Sequence, residues 1–150
     1  MLKEGTKAPE LSIPDQNGKI RTLGEFAGRK TLIFFYSKDG TSGCTKQAQA
    51  YSQLADRFDK KGVTVIGISR DSVASHKKFE EKYGLKILLL SDTEKKVINA
   101  YDVWKEKKLY GKPTEGVLRT TYVIDGNGVV IYANDKVKAA EDAEKMIGTI

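Results

Sequence analysis

The sequence predicts an α/β fold in which a central mixed β-sheet carries helices on both faces. Three observations predict it. Short apolar runs rich in β-formers recur at 31–36 (TLIFFY), 63–69 (VTVIGIS) and 86–92 (KILLLSD), the pattern of strands buried on both faces. Stretches with helical spacing separate them. The segment LRTTYVIDGNGVVIY then places two strands around Asp125-Gly126-Asn127-Gly128, a strong hairpin signal, so the last strands run antiparallel.

Taken in order, TLIFFY is followed by a polar, glycine-bearing turn, SKDGTSG. Cys44, Ala48, Tyr51, Ala55 and Phe58 then fall on one helical stripe, which Gly62 ends. Strand, helix and strand in this order make a parallel crossover unit. Ser72 as N-cap and Gly84 as stop bracket a second helix. TEKKVINAYDVW reads as a short helix with Thr93 near its cap, and 105–117 reads as loop. AAEDAEKMIGTI closes the chain as a helix with Ala140, Ala143, Met146, Ile147 and Ile150 roughly on one face. A parallel βαβ half joined to an antiparallel ββα half is a thioredoxin-like arrangement. With 150 residues and no repeat, low-complexity tract or linker, one domain over 1–150 is expected.

Composition narrows the function. The net charge of +6 arises from 26 Lys+Arg against 20 Asp+Glu, but the lysines are scattered among acids without aromatic interleaving. That describes a solvated mixed surface, so no nucleic-acid partner is expected. No stretch approaches the roughly 18 apolar residues of a membrane span, and the N-terminal stretch lacks the apolar core of a secretory signal. A cytoplasmic location without membrane association follows as the expectation. The chain has a single cysteine, which agrees with a reducing compartment and cannot form an internal disulfide.

That cysteine is Cys44, beyond the end of the first buried strand and near the start of the next helix. Unpaired amides and the helix dipole there favour thiolate, and can bring a thiol from about 8.5 to ~3.5–7.5. Ionisation alone does not make a fast nucleophile, because nucleophilicity falls with pKa at a β of ~0.4–0.5. Rapid attack therefore needs donors aimed at the atoms being joined and parted. Thr41, three residues earlier, offers a hydroxyl, and a cation must arrive from elsewhere in the fold. The competing reading is a small buried thiol that fills space.

Several motifs in order carry a resemblance. FFYSKDGTSGCTKQA resembles the active-site stretch of peroxiredoxins, in particular the bacterioferritin-comigratory or PrxQ subfamily. LKEGTKAPELSIPDQNGK, SRDSVASHKKFEEKYGLKILLLSD, AYDVWKEKKLYGKPTEGVLRTTYVID and GNGVV resemble it in spacing too, so the likeness spans nearly the whole chain. It implies a thiol peroxidase that reduces hydrogen peroxide or organic hydroperoxides with no cofactor and no metal. Cys44 matches the peroxidatic cysteine, Thr41 the threonine that binds the peroxide, and Arg119 the arginine that holds thiolate and peroxide oxygens. Gly43 adds backbone donors.

The chain departs from the family twice. Ser37 stands where the family has a proline that shields the thiolate, and Gln49 stands where many members carry a resolving cysteine. A one-cysteine enzyme follows, whose sulfenic acid needs an external thiol such as thioredoxin, glutaredoxin or a low-molecular-weight thiol, and which over-oxidises when that thiol is scarce. A monomer is implied. The alternative is a redox-sensing or thiol-binding module with little turnover.

Other residues suggest little. His76, the only histidine, sits among lysines and reads as an exposed helix residue. No Cys/His cluster has zinc spacing and no phosphate-binding loop is complete. Tyr101, Trp104 and Tyr110 read as packing residues.

Overall fold

A computed structural model describes the backbone of all 150 residues and every side chain except those at 107–109. A hairpin of β1 (Ser12–Pro14) and β2 (Ile20–Thr22) leads through a 3-10 turn, Leu23–Phe26, into β3 (Lys30–Phe35). Then come α1 (Ser42–Gln53), α2 (Ala55–Lys60), β4 (Val63–Ser69), α3 (Val73–Tyr83), β5 (Leu88–Ser91) and α4 (Lys96–Ala100). The chain ends with β6 (Trp104–Leu109), β7 (Lys112–Val117), β8 (Thr120–Ile124), β9 (Val130–Asn134) and α5 (Asp142–Thr149).

The central sheet has the order β5-β4-β3-β8-β9. β3, β4 and β5 are mutually parallel, while β8 runs antiparallel to β3 and β9 antiparallel to β8. This is the mixed α/β architecture read from the sequence. Alternation along β3 sends Leu32, Phe34 and Tyr36 to one face, with Ala48, Tyr51, Phe58, Phe79 and Met146 from the helices. Ile33 and Phe35 go to the other, against Leu23, Val97, Ile98 and Tyr101. Gly67 on β4 is the register partner of Phe34, and a Cβ there would lie 2.8 Å from the Phe34 ring. The missing side chain makes room for Phe34, which stacks on Tyr51 at 4.7 Å between centroids.

Some elements differ from the sequence reading. The single stripe over 44–58 is two helices, broken at Leu54, whose φ of −97° and ψ of 3° leave the helical region. Ser72 does cap α3, accepting from the Ser75 amide at 3.1 Å, and Gly84 ends it in the left-handed conformation. Thr93 is not the cap of α4. Instead Lys95 precedes that helix at φ 61°, and buried Asp92 accepts from the Ile98 amide at 2.7 Å. The segment 105–117 is not a loop: β6 and β7 pair antiparallel from Trp104↔Val117 to Leu109↔Lys112. Its turn, Tyr110-Gly111, has positive φ at both positions, which matches the twist of a two-residue hairpin. Of the three aromatics, Tyr101 is buried, Trp104 is half-buried with Lys95 and Arg70 over its ring, and Tyr110 is 96% exposed.

Candidate active site

The parallel strands β3 and β4 end together, and α1 starts from the loop that leaves β3. Thr41 occupies the N-cap position with extended backbone, so Ser42, Gly43 and Cys44 form the first turn. The first intrahelical bond runs from the Thr45 amide to the Thr41 carbonyl at 2.9 Å. The amides of Ser42, Gly43 and Cys44 therefore have no acceptor within the helix, and positive potential gathers at the sulfur.

Arg119 reaches this point through topology. Antiparallel pairing sets Phe35, the last residue of β3, opposite Thr120, the first of β8. The residue before Thr120 is thus delivered to the carboxyl end of β3, 75 positions away from Cys44 in sequence. Its Nη2 donates to Cys44 Sγ at 3.3 Å, and its Nη1 donates to Gln47 Oε1 at 2.6 Å. Gly43 lies beneath the guanidinium: a Cβ there would meet Nη2 at 3.4 Å. Exposed Ser37 puts its hydroxyl 3.5 Å from the sulfur. Thr41 Oγ1 donates to the Lys38 carbonyl at 2.8 Å, which leaves its lone pairs free to accept. The structure thus gathers all five candidates, Ser37, Thr41, Gly43, Cys44 and Arg119, around one sulfur that is 1% exposed.

Burial pushes the Cys44 thiol up. The Lys38 backbone amide, the Ser37 hydroxyl and the Arg119 charge are among the groups that outweigh it and bring the thiol down from 9.0 to about 7. The thiol is thus about half ionised at pH 7. Against an unperturbed thiol that is a gain of about fifty-fold in thiolate, of which the Brønsted penalty takes back roughly six- to tenfold. Charge on the sulfur supplies little more than availability; the donors must supply the rest. Alkylation of Cys44 by iodoacetamide is expected to be half-maximal near pH 7, to fall below it as the thiolate is protonated, and to level off above about pH 8. A midpoint at or above about 8.5 would show that the donors do not act on the sulfur.

Several residues around the site escaped the sequence reading. Gln47, fully buried one turn after Cys44, passes the guanidinium on to α5: its Nε2 donates to Asp142 Oδ2 at 3.2 Å. That same oxygen accepts from Thr121 Oγ1 at 2.8 Å and from the Tyr51 hydroxyl. Burial and the Asp142 charge push the Tyr51 phenol well up, so it remains a donor. An acceptor-only carboxylate on one side and a donor-only guanidinium on the other fix which way the Gln47 amide faces. Asp142 sits in the first turn of α5, where the helix dipole favours an anion.

His76 is not exposed. It is fully buried on the inner face of α3, with Nδ1 2.7 Å from Asp39 Oδ2 and Nε2 3.0 Å from the Leu90 carbonyl. Asp39 belongs to the same loop as Ser37 and Thr41. Asp39, Asp71 and His76 are the one group of possible metal ligands among the described residues, but their atoms already satisfy one another and Ser69, Ser75 and Tyr36. An ion there would have to break those bonds.

Comparison with known proteins gives a consistent result. Residues 5–133 match the AhpC/TSA family. Peroxiredoxin Bcp of Bacillus subtilis is 38% identical over 149 residues, spanning 99% of this chain and 95% of the relative. Among solved structures, the bacterioferritin comigratory protein of Xanthomonas campestris, studied for alkyl peroxide reduction, superposes with a TM-score of 0.88 at 38% identity. That match covers 93% of this chain and 88% of the other. A cysteine-to-serine variant of Xylella fastidiosa PrxQ superposes with a TM-score of 0.93 at 28% identity, over 99% and 95% of the two chains.

Proposed function

The chain belongs to the AhpC/TSA family as a peroxiredoxin of the Bcp/PrxQ kind, a thiol peroxidase, and from that premise we propose that Cys44 is the peroxidatic sulfur of a one-cysteine enzyme. The observation that carries this reading is the Arg119 guanidinium 3.3 Å from a cysteine whose thiol is lowered to about 7. Peroxide substrates and a thiol reductant come with the family. No helix among the described residues is long and apolar enough to cross a membrane.

In the first half-reaction the Cys44 thiolate attacks the terminal oxygen of a hydroperoxide. The S–O bond forms as the O–O bond breaks, the departing oxygen takes a proton, and water or an alcohol leaves behind a sulfenic acid. Arg119 and the first-turn amides of Gly43 and Cys44 stabilise negative charge as it moves from sulfur to oxygen. Thr41 Oγ1, donating to the Lys38 carbonyl, accepts the hydroperoxide O–H and so aligns the O–O bond with the sulfur. Ser37 gives the sulfur a further hydroxyl in place of an apolar shield. In the second half-reaction an external thiol attacks the Cys44 sulfur and expels the oxygen as water, giving a mixed disulfide. A second thiol releases the Cys44 thiol and the external disulfide. The chain has no second cysteine to do either step from within.

The test is mass spectrometry of the protein after one equivalent of hydrogen peroxide. The expected product carries one added oxygen on Cys44, is lost on addition of a small thiol, and passes through a mixed adduct. A disulfide between two copies of the chain as the obligatory product would replace the external-thiol step, and an unmodified Cys44 would overturn the reading. One stoichiometric oxidation without recycling by any thiol would instead identify a redox sensor.

A further inference from the structure

Two reagents of different size must reach the same sulfur in turn under the one-cysteine reading, a small hydroperoxide and then the sulfur of another molecule. Yet Cys44 is 1% exposed. The segment between β3 and α1 lies against it, and two of its residues help hold the thiolate, Ser37 by its hydroxyl and Lys38 by its amide, while Thr41 keeps its proton on the Lys38 carbonyl. What ties this loop to the fold is Asp39. Its carboxylate accepts from the Tyr36 hydroxyl on β3's exit, from Ser75 Oγ at 2.9 Å and from His76 Nδ1 at 2.7 Å, both on α3. Its amide donates to Asp71 Oδ2 at 2.9 Å, beyond the end of β4, and Asp71 in turn accepts from Ser69 Oγ.

His76 is the innermost member. The ring bridges two elements, with Nε2 at the Leu90 carbonyl on β5 and Nδ1 at the loop carboxylate. Asp71 and Tyr36 are the other titratable groups around it, facing it from the β4 exit and from β3. Its only possible role in the chemistry is through the loop, because the ring touches neither Cys44 nor Arg119.

We propose that the Asp39–His76 contact is a clasp that positions residues 37–41 over Cys44 and acts on the two half-reactions in opposite senses. Closed, it presents the Lys38 amide and the Ser37 hydroxyl to the sulfur and the Thr41 oxygen to the hydroperoxide, and speeds oxidation. Released, it uncovers the sulfenic acid, so that an external thiolate can approach along the S–O bond, form the S–S bond and expel hydroxide, which leaves as water with a proton from solvent. His76 and Asp39 are positioning residues. The proposal rests on the one-cysteine peroxidase reading for its second half and on the geometry of the loop for its first.

The test measures each half-reaction separately in His76→Leu: oxidation by hydrogen peroxide under single-turnover conditions, and reaction of the preformed sulfenic acid with 5-thio-2-nitrobenzoate. Oxidation is expected to slow about tenfold and the iodoacetamide midpoint to rise, as donors leave the sulfur. The reaction with 5-thio-2-nitrobenzoate is expected to speed up about threefold or more, as access improves. His76→Asn, whose amide keeps a donor near the Nδ1 position, is expected to restore both rates towards wild type. His76→Gln, which keeps one near Nε2, is not. Asp39→Asn is expected to show the same split and serves if His76→Leu does not fold. Both rates falling together, no change in either, or equal rescue by Gln and Asn would overturn the clasp. A wild-type chain that does not react with hydrogen peroxide would overturn the peroxidase reading instead, and the iodoacetamide midpoints would still decide the clasp.

Discussion

Replacing Cys44 with serine is expected to abolish peroxide consumption. The hydroxyl of serine is not ionised at neutral pH, and the lowered thiol at about 7 has no counterpart in an alcohol. No other sulfur nucleophile exists in the chain to take over, because Cys44 is the only cysteine and methionine sulfur carries no ionisable proton. The fold is expected to persist. Serine is smaller by little, and its hydroxyl inherits the Arg119 and Ser37 contacts that now serve the sulfur. The stability change is expected to stay within about 1–2 kcal/mol, the cost of exchanging a small buried thiol for a hydroxyl that is still hydrogen-bonded. Catalytic rates for hydrogen peroxide with dithiothreitol as reductant, beside thermal unfolding of both proteins, check this. Turnover that survives in a folded Cys44→Ser protein would remove the basis of the proposed function.

The residues of this site differ in how far sequence reasoning reaches them, and the difference is physical. Ser37, Thr41, Gly43 and Cys44 lie within eight positions and are joined by one local event, a strand end turning into a helix start. Local rules suffice there. Arg119 is different: its arrival depends on the pairing of β3 with β8, in which Phe35 faces Thr120. Spacing along the chain says only that some cation must come, and the family resemblance singled out which one.

The burial of Gln47 and His76 is written in helical phase. Gln47 is three positions after Cys44 and directly before Ala48 on the stripe, so its burial was legible as helical phase. His76, Phe79 and Tyr83 follow an i, i+3, i+7 spacing, which puts the histidine on the apolar face despite its lysine neighbours. Asp142 and Asp39 left no such trace, because their partners lie on other elements. The β6–β7 hairpin was hidden for a further reason: KEKKLYGKPTEG has no apolar face, so the period-two signal that marks a half-buried strand is absent. A short two-stranded ribbon outside the central sheet leaves that constraint unfelt.

Arg119→Ala is expected to slow the attack on hydrogen peroxide by about 100-fold, the scale of losing one preorganised transition-state donor. Two effects combine, and they differ in size. The thiol loses a neighbouring positive charge, so its midpoint rises from about 7. Thiolate becomes scarcer at pH 7, but each thiolate becomes more nucleophilic, and the two changes largely offset. The larger loss falls on the transition state, where charge leaves the sulfur for the departing oxygen and the guanidinium is no longer there to receive it. The defect should therefore persist at pH 9, where both proteins are ionised. A loss confined to neutral pH would mean that Arg119 acts on ionisation alone. Arg119→Lys sharpens the point: one ammonium cannot span both the sulfur and Gln47 Oε1 as Nη2 and Nη1 do, so most of the defect should remain although the charge is kept. The fold should tolerate both changes, since Arg119 is half-exposed and water can reach the Gln47 carbonyl it vacates. An effect below about twofold at either pH would detach Arg119 from the chemistry and leave it as a strut between the start of β8 and α1.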